Sequence, residues 1–71
     1  MWILVVEDDQ DLADSLQTGL EEEGHTVEVS PNGLDAEVRA QVNAYDLLIV
    51  DWMLPGLDGR TLVERLRRAG F

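Results

Sequence analysis

The sequence predicts one small α/β domain, in which three parallel strands in the order 2-1-3 are joined by three helices. Two patterns support this prediction. Short apolar runs alternate along the chain with segments whose apolar residues recur every three or four positions, which gives the element order β-α-β-α-β-α. Such alternation is typical of parallel strands joined by right-handed crossovers, with helices on both faces of the sheet.

Residues 1–24 predict the first strand and the first helix. Met1–Val6 is a continuous apolar run, as expected for a strand inside the sheet. An acidic segment follows it, with Glu7, Asp8, Asp9 and Asp11. A helix comes next, because leucines recur at helical spacing at positions 12, 16 and 20, and Gly24 is suited to end it. The last two acids of the segment are candidates for the cap of this helix.

The second strand and helix are predicted between residues 25 and 43. His25–Val29 alternates polar and apolar residues, so this strand is expected at a half-exposed edge of the sheet. Ser30–Gly33 is a turn, since it contains both proline and glycine. The second helix runs from about Leu34 to Asn43, and it places three apolar residues on one face: Leu34, Val38 and Val42.

The third strand, Leu47–Val50, is again wholly apolar, which predicts a strand that is buried on both faces and lies next to the first. Asp51 follows at its carboxyl end. Turn formers at Pro55–Gly56 and Asp58–Gly59 then take the backbone out of the sheet. The third helix contains Leu62, Val63 and Leu66 and stops at Gly70.

The composition excludes several classes of protein. Among the 71 residues are fifteen acids and five arginines but no lysine, and the resulting net charge of −10 opposes direct binding to nucleic acid. The absence of cysteine excludes disulfides and thiolate metal sites. The apolar runs are far shorter than the ~18 residues of a membrane-spanning helix, and no signal peptide is recognisable. We therefore expect a cytoplasmic protein that does not bind membranes.

Three acids are expected to meet at one end of the sheet. The order 2-1-3 brings Glu7, Asp8 and Asp51 to adjacent carboxyl ends, where open α/β sheets bind ligands. Carboxylates this close raise one another's pKa unless a cation intervenes, and a site with only oxygen donors favours Mg²⁺. A carboxylate left exposed beside the ion is suited to act as a nucleophile toward phosphorus. The alternative interpretation of Asp51 is an ordinary turn or cap residue.

Two segments closely resemble the receiver domain of two-component response regulators. Ile3–Asp9 resembles that family's first strand and acidic pair, and Leu48–Gly59 resembles its phosphoacceptor strand and loop. The resemblance covers essentially residues 2–70 and is strongest to the OmpR/PhoB-type subgroup, in which a winged-helix DNA-binding domain follows the receiver. It implies a flavodoxin-like fold and a role in phosphorelay signal transduction and transcription regulation.

The resemblance also implies roles for individual residues. Asp51 is expected to accept a phosphoryl group from a phosphohistidine on a sensor histidine kinase. The implied Mg²⁺ ligands are Asp51, Asp8, Glu7 through water, and Met53 through its backbone carbonyl. The chain is thus expected to be a phosphoacceptor domain and not an enzyme, although small phosphodonors are candidate sources of the phosphoryl group.

The family has five strands and five helices, so residues 1–71 are expected to form a truncated receiver that lacks the last two βα units. Those units carry the family's phosphoryl-sensing hydroxyl and its lysine, and a chain without them is not expected to switch. The third strand becomes an unpaired edge, which invites pairing with another chain. We therefore predict a homodimer or higher oligomer formed through Leu47–Val50.

Two other functions stay open at this point. One is a structural or engineered half-domain that self-associates without signalling. The other is a Mg²⁺-dependent phosphotransferase or phosphatase with Asp51 as its nucleophile. Met53 argues against that enzyme, because the haloacid dehalogenase pattern has an aspartate at this position.

Overall fold

The computed structural model describes all residues, 1–71, and contains six elements in the predicted sequence order. The strands are β1 (Trp2–Val6), β2 (Thr26–Ser30) and β3 (Leu47–Val50), and the helices are α1 (Gln10–Glu22), α2 (Gly33–Val42) and α3 (Gly59–Arg68). Both strand pairs are parallel and the sheet order is β2-β1-β3, which confirms the predicted topology. None of the helices combines the length and the apolar character needed to cross a membrane.

The core occupies both faces of the sheet, because successive side chains of β1 point to opposite sides. On one face, Leu4 and Val6 pack against residues of α2 and α3, namely Ala36, Leu62 and Leu66. On the other face, Ile3 and Val5 pack with β2 and α1 through Val27, Leu16 and Leu20. All four of these β1 residues are at most 1 % exposed, so β1 is the buried central strand that its apolar sequence predicts.

Side chains cap all three helices at their amino termini. Asp9 accepts a hydrogen bond from the backbone N–H of Leu12 at 3.1 Å, and this identifies the cap of α1 among the two candidate acids. Asn32 caps α2 through the N–H of Asp35 at 2.8 Å. Asp58 caps α3 in the same way, through the N–H of residue 61 at 2.9 Å. Each cap satisfies a backbone donor that a helix would otherwise leave unpaired.

The prediction that β3 is buried on both faces was wrong. Leu47 is 41 % exposed and the other three residues of the strand are half-buried. The cause is the position of β3 at the edge of the sheet: it pairs only with β1, and no other strand covers its second side. An apolar sequence predicts a central strand only where both neighbours are present.

The apolar face predicted for α2 also does not reach the core, because Leu34, Val38 and Val42 are all more than half exposed. The helix instead contacts the sheet through Ala36 and Ala40, whose small side chains permit a close approach. The same holds at the start of α1, where the leucine at position 12 is 48 % exposed and Ala13 is buried.

Two boundaries differ slightly from the prediction. β2 lies one residue further along the chain, because the carbonyl of Ser30 continues the ladder by accepting a hydrogen bond from the N–H of Glu7 at 3.0 Å. The turn predicted at 30–33 ends earlier, since Asn32 caps the helix and makes Gly33 its first residue.

A polar cluster joins β1, β2 and the chain before β3. Glu28 accepts hydrogen bonds from the indole N–H of Trp2 at 3.0 Å and from the hydroxyl of Tyr45 at 2.8 Å. The two aromatic rings lie 4.6 Å apart between their centroids. Burial and the neighbouring Glu28 carboxylate raise the pKa of Tyr45, so the hydroxyl stays a donor at neutral pH. The cluster thereby anchors the amino end of β3.

Candidate metal and phosphoacceptor site

The site lies where β1 and β3 end, one residue beyond each strand. The N–H of Asp51 donates to the carbonyl of Val6 at 2.9 Å, and the N–H of Glu7 donates to the carbonyl of Ser30 at 3.0 Å. These bonds extend the parallel ladder past the strands on both sides of β1. They hold the first residue after β1 and the first residue after β3 side by side.

The structure brings together the three acids that the sequence singles out. One carboxylate oxygen from each of Glu7, Asp8 and Asp51 lies within 4.8 Å of the others. The three carboxylates differ in exposure, since Glu7 is buried, Asp51 is half-buried and Asp8 is exposed. The cluster is therefore closed on its protein side and open to solvent on the other.

Glu7 is the least accessible acid of the cluster, with only 7 % of its surface exposed. Its carboxylate accepts a hydrogen bond from the N–H of Asp9 at 3.1 Å. Burial raises the pKa of Glu7, and the hydrogen bond and charge of Asp51 and the charge of Asp8 raise it further, against the lowering effect of the Asp9 amide. The site therefore holds negative charge at a cost that a bound cation would relieve.

Asp51 is held by the backbone that follows it. Its carboxylate accepts a hydrogen bond from the N–H of Met53 at 3.2 Å, which turns the chain immediately after β3. The side chain of Met53 is 84 % exposed and plays no part in this contact. The expectation that the Met53 carbonyl binds a metal stays a prediction.

Two glycines that the sequence analysis treated as turn formers support this loop through close packing. A Cβ added to Gly59 would lie 2.9 Å from the Cα of Trp52 and closer still to the carbonyl oxygen of Asp51. One added to Gly33 would meet the backbone and Cβ of Leu57. The loop after Asp51 is therefore packed between the first residues of α2 and α3. A glycine at the start of each helix is the only sequence signal of this arrangement.

The donor set fits Mg²⁺. All three groups are carboxylates, and two ligands on opposite sides of this ion lie about 4.2 Å apart, given metal–oxygen distances of ~2.1 Å. Separations of up to 4.8 Å are closed by a small rotation of one side chain or by one intervening water. The exposed side of the cluster leaves room for the waters that Mg²⁺ retains.

Comparison with known proteins identifies the family. The family model for the response regulator receiver domain matches residues 3–70. The chain belongs to this family. Receiver domains are signalling phosphoacceptor modules that bind Mg²⁺ in an acidic pocket of this kind, and they are not enzymes in the usual sense.

Similar proteins include regulators of the predicted subgroup. The phosphate regulon regulator PhoB of Rhizobium meliloti is 48 % identical over 66 residues, which cover 93 % of this chain and 29 % of that protein. The regulator PcoR of Escherichia coli is 46 % identical over 68 residues, which cover 96 % of this chain and 30 % of that protein. The chain thus spans less than a third of these relatives and matches their amino-terminal part.

Solved receiver structures confirm the fold. TrrA of Thermotoga maritima, in complex with Mg²⁺ and BeF, superposes with a TM-score of 0.95 at 32 % identity, covering 97 % of this chain and 60 % of that one. A receiver domain from Francisella gives a TM-score of 0.93 at 37 % identity, covering 96 % of this chain and 56 % of that one. The three strands and three helices correspond to somewhat more than half of such a domain.

Proposed function

We propose that this chain is a phosphoacceptor module that binds Mg²⁺ and takes a phosphoryl group on Asp51, supplied in the cytoplasm by the phosphohistidine of a sensor kinase. The observation that carries the proposal is the convergence of Glu7, Asp8 and Asp51 within 4.8 Å at the mouth of the sheet. Asp8 and Asp51 would hold the ion directly, Glu7 through water, and Met53 through its carbonyl. The TrrA complex, which contains Mg²⁺ and BeF, supports the same assignment by similarity.

The residues of the chain have distinct parts in the transfer. An oxygen of the Asp51 carboxylate attacks phosphorus, the new P–O bond forms, and the bond to the donor breaks with its electron pair leaving on the donor. The N–H of Met53 orients the carboxylate through its 3.2 Å hydrogen bond. Mg²⁺ held by these carboxylates would neutralise charge on the phosphoryl oxygens, which an acidic pocket would otherwise repel. Glu7, fixed by the N–H of Asp9, keeps that pocket charged and closed.

Phosphorylation by a small donor tests the proposal. The protein is incubated with acetyl phosphate, with Mg²⁺ or with EDTA, and the intact mass is measured. We expect one acid-stable, base-labile phosphoryl adduct that requires Mg²⁺. Asp51→Asn should abolish it. Asp58→Asn is the matched control, because asparagine caps α3 as well as aspartate does and the adduct should persist.

Metal binding provides a readout that does not depend on phosphorylation. Trp52 is 58 % exposed and adjacent to Asp51, so its fluorescence should change when the ion binds. We expect Asp8→Asn to weaken the Mg²⁺ response and Asp58→Asn to leave it unchanged. A wild-type protein that neither responds to Mg²⁺ nor forms the adduct would refute the proposal.

A second candidate function is assembly without signalling, and the free edge of β3 favours it. The two candidates are distinguishable because assembly does not require Asp51. A variant with Asp51→Asn that associates normally, in a protein whose wild type is never phosphorylated, would support assembly alone.

A further inference from the structure

Ser30, the last residue of β2, has a buried hydroxyl that the proposed chemistry does not use. The residue is 0 % exposed and lies beside the nearly buried Glu7. A hydroxyl buried in this way is unfavourable unless it is hydrogen-bonded. Every buried side-chain oxygen and nitrogen of the chain has such a partner. The partners of Ser30 therefore indicate what its hydroxyl holds in place.

The hydroxyl of Ser30 closes the turn between β2 and α2. It donates to a carboxylate oxygen of Asp35 at 2.6 Å, and the carbonyl oxygen of Asn32 lies 3.0 Å from the same hydroxyl. The N–H of Asp35 donates to the side chain of Asn32 at 2.8 Å. Arg39 pairs with the carboxylate oxygen that accepts from Ser30, at 2.9 Å. The turn is thus fixed from inside by Ser30 and from the side of α2 by Arg39.

The same turn supports the acidic site on two sides. The carbonyl of Ser30 accepts a hydrogen bond from the N–H of Glu7 at 3.0 Å, so the turn begins at the buried acid of the cluster. Further along, Gly33 packs against Leu57, since an added Cβ would lie 3.0 Å from the Cβ of Leu57 and closer still to its carbonyl oxygen. Leu57 belongs to the loop after Asp51. A shift of the turn would therefore move the supports of both Glu7 and Asp51.

We propose that Ser30 and Asp35 are positioning residues of the acidic site, and that their hydrogen bond keeps Glu7 and the loop after Asp51 at the spacing that a divalent cation requires. Mg²⁺ demands near-ideal geometry at about 2.1 Å, so its ligands must be held by the groups behind them. Neither Ser30 nor Asp35 has to contact the ion. Their hydrogen bond lies on the β2 side of the sheet, away from the free edge of β3. The proposal rests on the proposed function, because Mg²⁺ is the ion concerned.

Removing the hydroxyl with Ser30→Ala tests this role. We expect Mg²⁺ binding, measured by Trp52 fluorescence, to weaken about tenfold, as for loss of a group that supports a metal ligand. Tyr45→Phe is the matched control, because it also removes one hydrogen bond of a buried residue, to Glu28 at 2.8 Å, but at the amino end of the sheet. Both variants should lose stability in urea, whereas Tyr45→Phe should bind Mg²⁺ like the wild type. A merely structural role of Ser30 would leave the Mg²⁺ affinities of the two variants equal.

Variants of Asp35 test the partner of the hydroxyl, and they serve alone if Ser30→Ala does not fold, because the side chain of Asp35 is 39 % exposed. Asp35→Ala should weaken Mg²⁺ binding as much as Ser30→Ala does. The double variant should be no weaker than either single one, because all three lack the same hydrogen bond. Asp35→Asn removes the same charge but keeps an acceptor oxygen, so it should bind Mg²⁺ nearly as the wild type does. Equal weakening by Asp35→Asn and Asp35→Ala would show an effect of charge and would refute the role of the hydrogen bond.

Amide hydrogen exchange provides a readout in the absence of metal. The N–H of Glu7 is bonded to the carbonyl of Ser30, so its exchange reports how firmly the turn holds this side of the site. In Ser30→Ala we expect this amide to exchange faster relative to the slowest amides of β1. In Tyr45→Phe the loss of stability should accelerate the Glu7 amide and those reference amides by the same factor.

The outcomes separate the positioning role from the proposed function. A wild type that binds Mg²⁺, together with a Ser30→Ala variant that binds it equally well, would overturn the positioning role alone. A wild type with neither a Mg²⁺ response nor a phosphoryl adduct would overturn the proposed function, and exchange of the Glu7 amide then decides the role of the turn. Selective acceleration in Ser30→Ala supports that role, and the same relative rate as in Tyr45→Phe refutes it.

Discussion

Replacing Gly59 by alanine should cost stability because there is no room for a Cβ. The added atom would lie 2.9 Å from the Cα of Trp52, whereas ordinary contacts begin at 3.4 Å, so the backbone after Asp51 must move by about 0.5 Å or more. The nearer neighbour is the carbonyl oxygen of Asp51, which is also backbone and cannot rotate away. Overpacking of this kind typically costs about 1–3 kcal/mol.

That cost is large for a chain of this size, since a single core of fewer than about 70–80 residues rarely supplies more than ~3–5 kcal/mol. With roughly 4–8 °C per kcal/mol for a domain of this size, the melting temperature of Gly59→Ala should fall by about 5–20 °C. Gly19→Ala is the matched control, because Gly19 lies inside α1 with nothing within 4 Å of an added Cβ. In a helix interior, alanine is more favourable than glycine by about 0.8–1 kcal/mol, so Gly19→Ala should be more stable than the wild type.

Both variants are compared by urea denaturation followed by circular dichroism, at one protein concentration because association also affects apparent stability. We expect the two glycine variants to change stability in opposite directions. The shift of the Asp51 backbone should also weaken the fluorescence response of Gly59→Ala to Mg²⁺. This response is measured below the melting temperature of the variant. If the two alanine variants are equally stable, close packing at Gly59 does not hold the loop after Asp51 and the reasoning is wrong.

The remaining predictions concern a charge, a hydrogen bond and a cap. The pKa of Glu7 is raised in the fold above 4.5, so the folded state binds this proton more tightly and stability falls as the pH rises through the raised value. Urea denaturation without metal should therefore show that the free energy of unfolding falls more between about pH 5 and about pH 8 for the wild type than for Glu7→Gln. Tyr45→Phe removes the 2.8 Å hydrogen bond to Glu28 and should cost about 1 kcal/mol in the same assay. Asn32→Ala removes the cap of α2 and should cost about 0.5–2 kcal/mol, whereas Asn32→Ser should restore most of it.

The topology and the site could be predicted from sequence because both depend on strand ends. An apolar run followed at once by an acid fixes where β1 and β3 stop, and parallel strands bring such ends to one side of the sheet. Glu7, Asp8 and Asp51 therefore meet as predicted. The cap at Asp9 was likewise among the candidates, since only short polar side chains reach the free amides of a helix.

Burial was harder to predict because it depends on neighbours that periodicity does not reveal. The face of α2 with Val38 has the spacing of a core face, but the helix turns its alanines to the sheet. Leu47 belongs to a wholly apolar strand, which favours burial, yet it is exposed because β3 pairs with β1 alone, at the unpaired edge that the resemblance to receivers predicts. The packing of Gly59 on the backbone of Asp51 and Trp52 also depends on tertiary approach, which a turn signal does not distinguish from a simple bend.

The exposed edge and the acidic site are physically connected because they share β3. Asp51 is the residue at which this strand ends, and the strand is held laterally on one side only, by β1. Its amino end is anchored by the hydrogen bond from Tyr45 to Glu28, and its carboxyl end by the close approach of Gly59. Whatever pairs with the free edge adds a second lateral support directly next to Asp51. Occupancy of the edge and order at Asp51 should therefore rise together, which is why association and phosphorylation must be measured on the same variants.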